Sequence, residues 1–116
     1  MDLDKREIVT KLYNILDERK AENIKVIDIS KVSVMTDYFV IATASNVNHM
    51  KALSDYMEKS MHDLNVKLNH AEGRSANWIL LDYGDIIIHL FDRESRAYYE
   101  LDRIWSDGEI ILGLVQ

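Results

Sequence analysis

Residues 78–83, Trp-Ile-Leu-Leu-Asp-Tyr, and 86–91, Ile-Ile-Ile-His-Leu-Phe, are separated only by Gly84-Asp85. Two β-prone runs around a Gly-Asp dipeptide form a hairpin signal, because two-residue hairpin turns need a positive φ that glycine supplies freely. With Gly84 and Asp85 as the turn, Tyr83 stands opposite Ile86, and alternation of side chains assigns every other residue to a face. Ile79, Leu81, Tyr83, Ile86, Ile88 and Leu90 share one face, which is almost wholly apolar and is expected in the core. Trp78, Leu80, Asp82, Ile87, His89 and Phe91 share the other. A solvent face should be mostly polar, and a core face should lack Asp and His; this one fits neither. Aromatic anchors among a few polar groups are what protein-binding surfaces use. Two readings follow. The face meets a partner, or a further helix or the C-terminal tail covers it.

At 116 residues the chain is expected to form one domain, spanning 1–116, with room for a real core. It contains no apolar run of about 18 residues, so no membrane span is expected. The start, Met1-Asp2-Leu3-Asp4, is acidic and does not resemble a signal peptide. The lack of cysteine removes disulfide and thiol chemistry and fits a reducing cytoplasmic setting. The net charge of −6 bears on partners. Proteins that grip phosphates are usually basic, so extensive RNA contact is not expected and a basic protein partner fits better.

Helical spacing of Ile8, Leu12, Ile15 and Leu16 predicts a helix over about residues 4–20, capped by Asp2 or Asp4. Residues 25–29 read as a short strand, and 38–44 as a nearly continuous apolar, central strand. Ser45 or Asn46 then caps a second helix whose stripe is Met50, Leu53, Met57, Met61 and Leu64. Residues 66–70 suggest a weak edge strand and 72–76 a loop before the hairpin. Residues 93–99 begin a short helix or turn, and the apolar run 109–115 either adds a strand or packs as a tail. The order αββαβββ predicts an α/β (α+β) domain: a mixed five-stranded sheet packed with helices.

No catalytic constellation emerges. Metal-dependent nucleotidyl transfer needs a Gly-Ser turn for phosphate and converging carboxylates for metal. The strand-to-helix turn is Thr43-Ala44-Ser45-Asn46, without glycine, and Asp37 lacks a paired Asp two residues on. Asp82 and Asp85 flank a turn, where Asp is expected for turn chemistry alone. His49, His62, His70 and His89 lack metal-ligand spacing, so neither a metal nor another cofactor is expected. His89 reads first as a packed, hydrogen-bonded histidine and second as a direct partner contact. His49, at a helix start, is disfavoured as a general acid. Arg96 sits either in a solvated turn or pairs with Glu72 or Asp82 beside Trp78, while Tyr99, Leu101 and Trp105 are expected to fold back on the sheet.

An ordered set of short pieces runs through most of the chain: Asp28-Ile29-Ser30, Thr36-Asp37-Tyr38-Phe39-Val40-Ile41, Ser45, His49, Ala52 and Glu72-Gly73. It continues with Trp78, Asp82-Tyr83-Gly84-Asp85, His89, Phe91, Arg96, Tyr99, Leu101 and Trp105. Individually unspecific, together they resemble the ribosomal silencing factor, or Iojap-like, family over roughly Ile8 to Trp105. Asp102 and Ile104 depart from the family pattern but keep charge or bulk. The resemblance implies a nucleotidyltransferase-like topology and a non-enzymatic module. It implies docking on the large ribosomal subunit through that subunit's protein number fourteen, a block to joining of the small subunit, and translation repression under nutrient limitation. Self-association as a homodimer is also implied. The expected partner-binding residues are Trp78, Leu80, Asp82, Ile87, His89, Phe91 and Arg96. The alternatives are a metal-dependent nucleotidyltransferase-like enzyme and a homodimeric interaction module.

Overall fold

The computed structural model describes residues 4–31, 33–73, 77–99 and 109–112. The first helix, α1 (Lys5–Glu18), is capped by Asp4, whose side chain accepts from the Glu7 backbone while Glu7 reaches back to the Asp4 N–H. This reciprocal capping box satisfies two donors that a helix start leaves unpaired. The second, α2 (Val47–Asp63), is capped by Asn46, which accepts the His49 N–H at 2.8 Å. Asn46 is therefore the cap, not Ser45. Both helices end on a left-handed residue, Lys20 (φ 65°) and Asn65 (φ 61°). The next residues, Ala21 and Val66, donate back to Leu16 and Met61, which closes the last turn.

Among the described residues one sheet of six strands forms the middle layer, in the order β3-β4-β5-β2-β1-β6. The strands are β1 (Glu22–Asp28), β2 (Tyr38–Ala44), β3 (His70–Glu72), β4 (Trp78–Asp82), β5 (Ile86–Asp92) and β6 (Glu109–Leu112). Only β2 and β5 run parallel; the other pairs are antiparallel. The mixed sheet packed with helices is as expected. The apolar closing run supplies its sixth strand by pairing with β1. A short helix, α3 (Arg93–Tyr99), follows β5 directly.

The weak edge strand begins later than its sequence implied. Residues 66–69 run as an irregular connection that sends Val66 and Leu68 against the core, and ladder pairing starts only at His70 opposite Asp82. Glu72 therefore closes a strand, where a loop was expected. The expected packing of Tyr99, Leu101 and Trp105 lies outside the described residues and side chains.

Both long helices pack on one face of the sheet. Ile8, Val9, Leu12 and Leu16 of α1 and Met50, Leu53, Met57 and Met61 of α2 meet Val26, Val40, Ala42, Ile79, Leu81, Ile88 and Leu90 in one cluster. The methionine stripe is core packing, as its spacing indicated. The hairpin has the expected register: Ile79 pairs with Leu90, Leu81 with Ile88, and Tyr83 donates its N–H to the Ile86 carbonyl at 2.9 Å. Gly84 takes φ 86° at the first central position, the signature of a type II′ turn.

Gly73 is the second position where glycine is required. Its φ is 75°, and a Cβ there would overlap the Trp78 carbonyl. Gly73→Ala is expected to cost at least about 1–2 kcal/mol from the backbone conformation alone. A melting temperature equal to that of the wild type would refute this.

Candidate protein-binding face

Alternation along the strands leaves the face opposite α1 and α2 to a second set of side chains. Ile27 and Ile29 come from β1 and its exit, Phe39 and Ile41 from β2, and Phe91 from β5; together they form a second buried cluster. Trp78 and Ile87 pack against it while remaining half-exposed. Leu80 and Asp82 are half-exposed on the same face. The odd-numbered residues of β2 made this layer legible in principle. In parallel register Phe39 lies beside Ile87, and Ile41 beside His89.

The seven residues expected at the partner surface therefore separate by depth. Trp78, Leu80, Asp82 and Ile87 reach solvent, whereas His89 (4% exposed), Phe91 (0%) and Arg96 (8%) do not. The correction follows from the layers: His89 and Phe91 lie on central β5, among Phe39, Ile41 and Trp78, so they support the surface and do not form its exposed part. Phe91 stacks on Trp78 with ring centroids 4.9 Å apart, and Phe39 meets the His89 ring edge-on at 4.7 Å.

His89 is a packed, hydrogen-bonded histidine. Its Nδ1 accepts the Trp78 indole N–H at 3.1 Å. Burial pushes its pKa down to about 4, so the ring is neutral at pH 7. Asp82 belongs on this face for a local reason. It accepts the Gly84 N–H at 2.8 Å, which ties its carboxylate into the hairpin turn. Arg96 reaches from α3 across to β2 and donates to Thr43 Oγ1 at 3.0 Å. Glu72 is paired with His70, and Asp82 with the turn, so the expected role of Arg96 beside Trp78 gives way to docking α3 on the sheet. Arg93, at the start of α3, forks onto Glu22 of β1 and adds a second, exposed tie. Thr43 and Glu22 carried no signal in the sequence, because their partners are 53 and 71 residues away.

The residues weighed for phosphate and metal chemistry fall at opposite ends of the parallel strand pair. At the C-terminal end, the turn into α2 is occupied by its own side chains. His49 Nδ1 accepts the Ser45 N–H at 2.9 Å, and its Nε2 donates to the Arg19 carbonyl at 2.8 Å. Two of the donors that a phosphate would meet at this helix start, the Ser45 and His49 N–H groups, are thus already engaged. At the N-terminal end, roughly 20 Å away along a seven-residue strand, Asp37 and Asp85 do converge. What they hold is the Lys5 ammonium, 2.7 Å from Asp37 and 3.2 Å from Asp85. Both carboxylates raise the Lys5 pKa. Among the described residues no group of three or more His, Cys, Asp or Glu could hold a metal ion, and no helix is long and apolar enough to cross a membrane.

Comparison with known proteins bears on the same architecture. A crystal structure from Bacillus halodurans superposes with a TM-score of 0.80 at 26% identity, covering 93% of this chain and 99% of that one. A second, from Chromobacterium violaceum, reaches 0.85 at 23% identity and supports the fold. Among curated sequences, the ribosomal silencing factor of Halalkalibacterium halodurans is 26% identical over 94% of both chains. That of Zymomonas mobilis is 35% identical over 89% of this chain and 79% of its own length. The mouse protein named for mitochondrial assembly of the ribosomal large subunit is 32% identical over 82% of this chain and 43% of its own. The family model described as ribosomal silencing factor during starvation matches residues 2–114. With a match of that extent on a fold shared with the Bacillus halodurans structure, the chain belongs to the ribosomal silencing factor family.

Proposed function

We propose that this protein docks on the large ribosomal subunit through the surface of Trp78, Leu80, Asp82 and Ile87 and keeps the small subunit from joining. It acts by occupying space and catalyses no reaction. The observation that carries the reading is the half-exposed aromatic and aliphatic strip on a sheet backed by two buried layers. A rigid backing lowers the cost of ordering a surface on binding. The acidic balance favours a basic protein as the direct contact over RNA. Protein number fourteen of the large subunit is the partner that the family resemblance implies. The family description speaks of ribosomal silencing during starvation, and on the present reading the action is repression of translation in the cytoplasm under nutrient limitation. The mouse relative's name, which refers to the ribosomal large subunit, agrees with the choice of subunit.

A standard protein interface buries roughly 1,600 Å² in total, about half from each side. The half-exposed strip would form the centre of such an interface, with the surrounding surface supplying the rest of that share. The same strip can pair with a second copy, so a homodimer would compete with the ribosome for it.

Sedimentation with separated subunits tests the reading. The protein should travel with large subunits, not with small subunits, and poorly with joined ribosomes. Equal distribution across all three would refute it. Asp82→Asn keeps an oxygen to accept the Gly84 N–H but removes the charge. It should slow association with large subunits and leave the melting temperature near the wild type. Unchanged association kinetics would remove Asp82 from the steering surface.

The absence of catalysis has its own test. Titration with magnesium and nucleoside triphosphates should give no saturable heat and no product. Binding that Asp37→Asn abolishes would favour the nucleotidyltransferase reading.

A further inference from the structure

His89 presents a conflict between packing and chemistry. Its Nδ1 accepts a hydrogen bond from the Trp78 indole, so the ring proton must sit on Nε2. That Nε2 is buried with no hydrogen-bond partner among the described residues. An unpaired buried N–H destabilises a fold, so leucine or phenylalanine would serve this core position better. Among the described residues, the rings around His89 are Phe39, Phe91 and Trp78, and two of them are purely apolar. The distinct contribution of the imidazole lies on its other side, at the indole.

Trp78 lies near the edge of the sheet, half in solvent, paired across the strands with Phe91. Stacking on Phe91 at 4.9 Å fixes its plane but not its direction, because an aromatic face accepts a sliding or flipped indole almost equally well. A hydrogen bond from Nε1–H to an acceptor held in the core removes that freedom. The acceptor must itself be immobile, and the buried His89 ring is. Asp or Glu at this depth would carry an uncompensated charge, and an apolar residue accepts nothing.

We propose that His89 is the positioning residue of the docking strip: by accepting the Trp78 N–H from beneath, it sets the indole in the single orientation that a partner meets. The proposal deepens the docking reading and rests on it for its functional consequence, but its structural claim is measurable in the free protein. Preorganisation of this kind raises affinity without adding a contact to the partner.

The test uses the full chain in four variants: His89→Leu, His89→Asn, Trp78→Phe and the double variant that combines His89→Leu with Trp78→Phe. Asparagine can place Oδ1 where Nδ1 stands, so it is the conservative replacement. The chain has two tryptophans, and the indole N–H resonance that disappears in Trp78→Phe identifies Trp78. In His89→Leu that resonance should move upfield and broaden, while the protein melts no lower than the wild type. In His89→Asn it should return toward its original position. Affinity for large subunits should fall about fivefold in His89→Leu, recover in His89→Asn, and fall no further when His89→Leu is added to Trp78→Phe. An unmoved indole resonance in His89→Leu would overturn the proposal, as would equal affinity losses in the Leu and Asn variants. If the resonance behaves as stated but no variant, wild type included, binds large subunits, the docking reading fails and His89 positions Trp78 for no ribosomal purpose, which also overturns the proposal in the form given.

Discussion

Truncating Ile79 and Trp78, adjacent residues on one strand, should produce opposite phenotypes. Ile79 is 1% exposed and packs in the cluster under α1 and α2. Ile79→Ala deletes buried methyl groups from a filled space and should cost about 2–5 kcal/mol of stability. Affinity for large subunits should fall only as far as the protein unfolds. Trp78 points the other way, half-exposed above Phe91 and His89. Trp78→Ala removes the largest ring of the strip. Hot-spot truncations of this type cost on the order of 2 kcal/mol in binding, roughly thirtyfold in affinity. It also uncovers part of Phe91, so its stability loss should be real but smaller than that of Ile79→Ala. Thermal unfolding and subunit affinity, measured on both variants, make the comparison. Wild-type affinity in Trp78→Ala would remove this face from docking. A stable but non-binding Ile79→Ala would move docking to the helical side.

Acid should destabilise the protein through His89 well before most carboxylates titrate. In the unfolded chain His89 has its ordinary pKa of 6.5, and in the fold burial lowers it to about 4. Above pH 6.5 both states are neutral there and the contribution to stability is fully present. As pH falls below 6.5, the unfolded chain takes up a proton that the folded chain refuses. Stability is lost progressively down to about pH 4, where the folded state also protonates. At about 1.4 kcal/mol per pH unit, the complete loss is on the order of 3 kcal/mol. Net stabilities of small domains are about 5–15 kcal/mol, so this is a large fraction. Glu22 and Asp28 have lowered pKa values, from Arg93 and Ser30 respectively, and also lose stabilisation in acid. Their effect is common to wild type and His89→Leu and cancels in the difference. Urea unfolding of both proteins from pH 7 to pH 4 should therefore show curves that diverge as pH falls. Parallel curves would mean that His89 protonates in place.

Much of the fold was legible because its determinants are local. The hairpin register needs only a two-residue turn and strict alternation, and it holds from Trp78 opposite Phe91 to Tyr83 opposite Ile86. The stripes of α1 and α2 need only helical periodicity. Asp4 and Asn46 cap helices by reaching three residues along the chain. Where local signals competed, they misled by a few residues: 66–70 has strand composition, yet the left-handed turn at Asn65 delays pairing to His70.

The candidate face shows the boundary most clearly. Its membership followed from alternation alone, because successive side chains on a strand must point to opposite sides. Its depth did not. Whether His89 and Phe91 meet solvent depends on β2 lying parallel beside β5, on β1 bringing Ile27, and on α3 being tied to Thr43 through Arg96. The same holds for Asp37 and Asp85, 48 residues apart, which become a pair only around Lys5. Periodicity says which way a side chain points; what lies above it depends on strands brought together from distant parts of the chain. No spacing within one segment encodes that. The residues and their faces were thus written in the sequence, while the division of the strip into an exposed surface and a buried support came from the packing of the whole sheet.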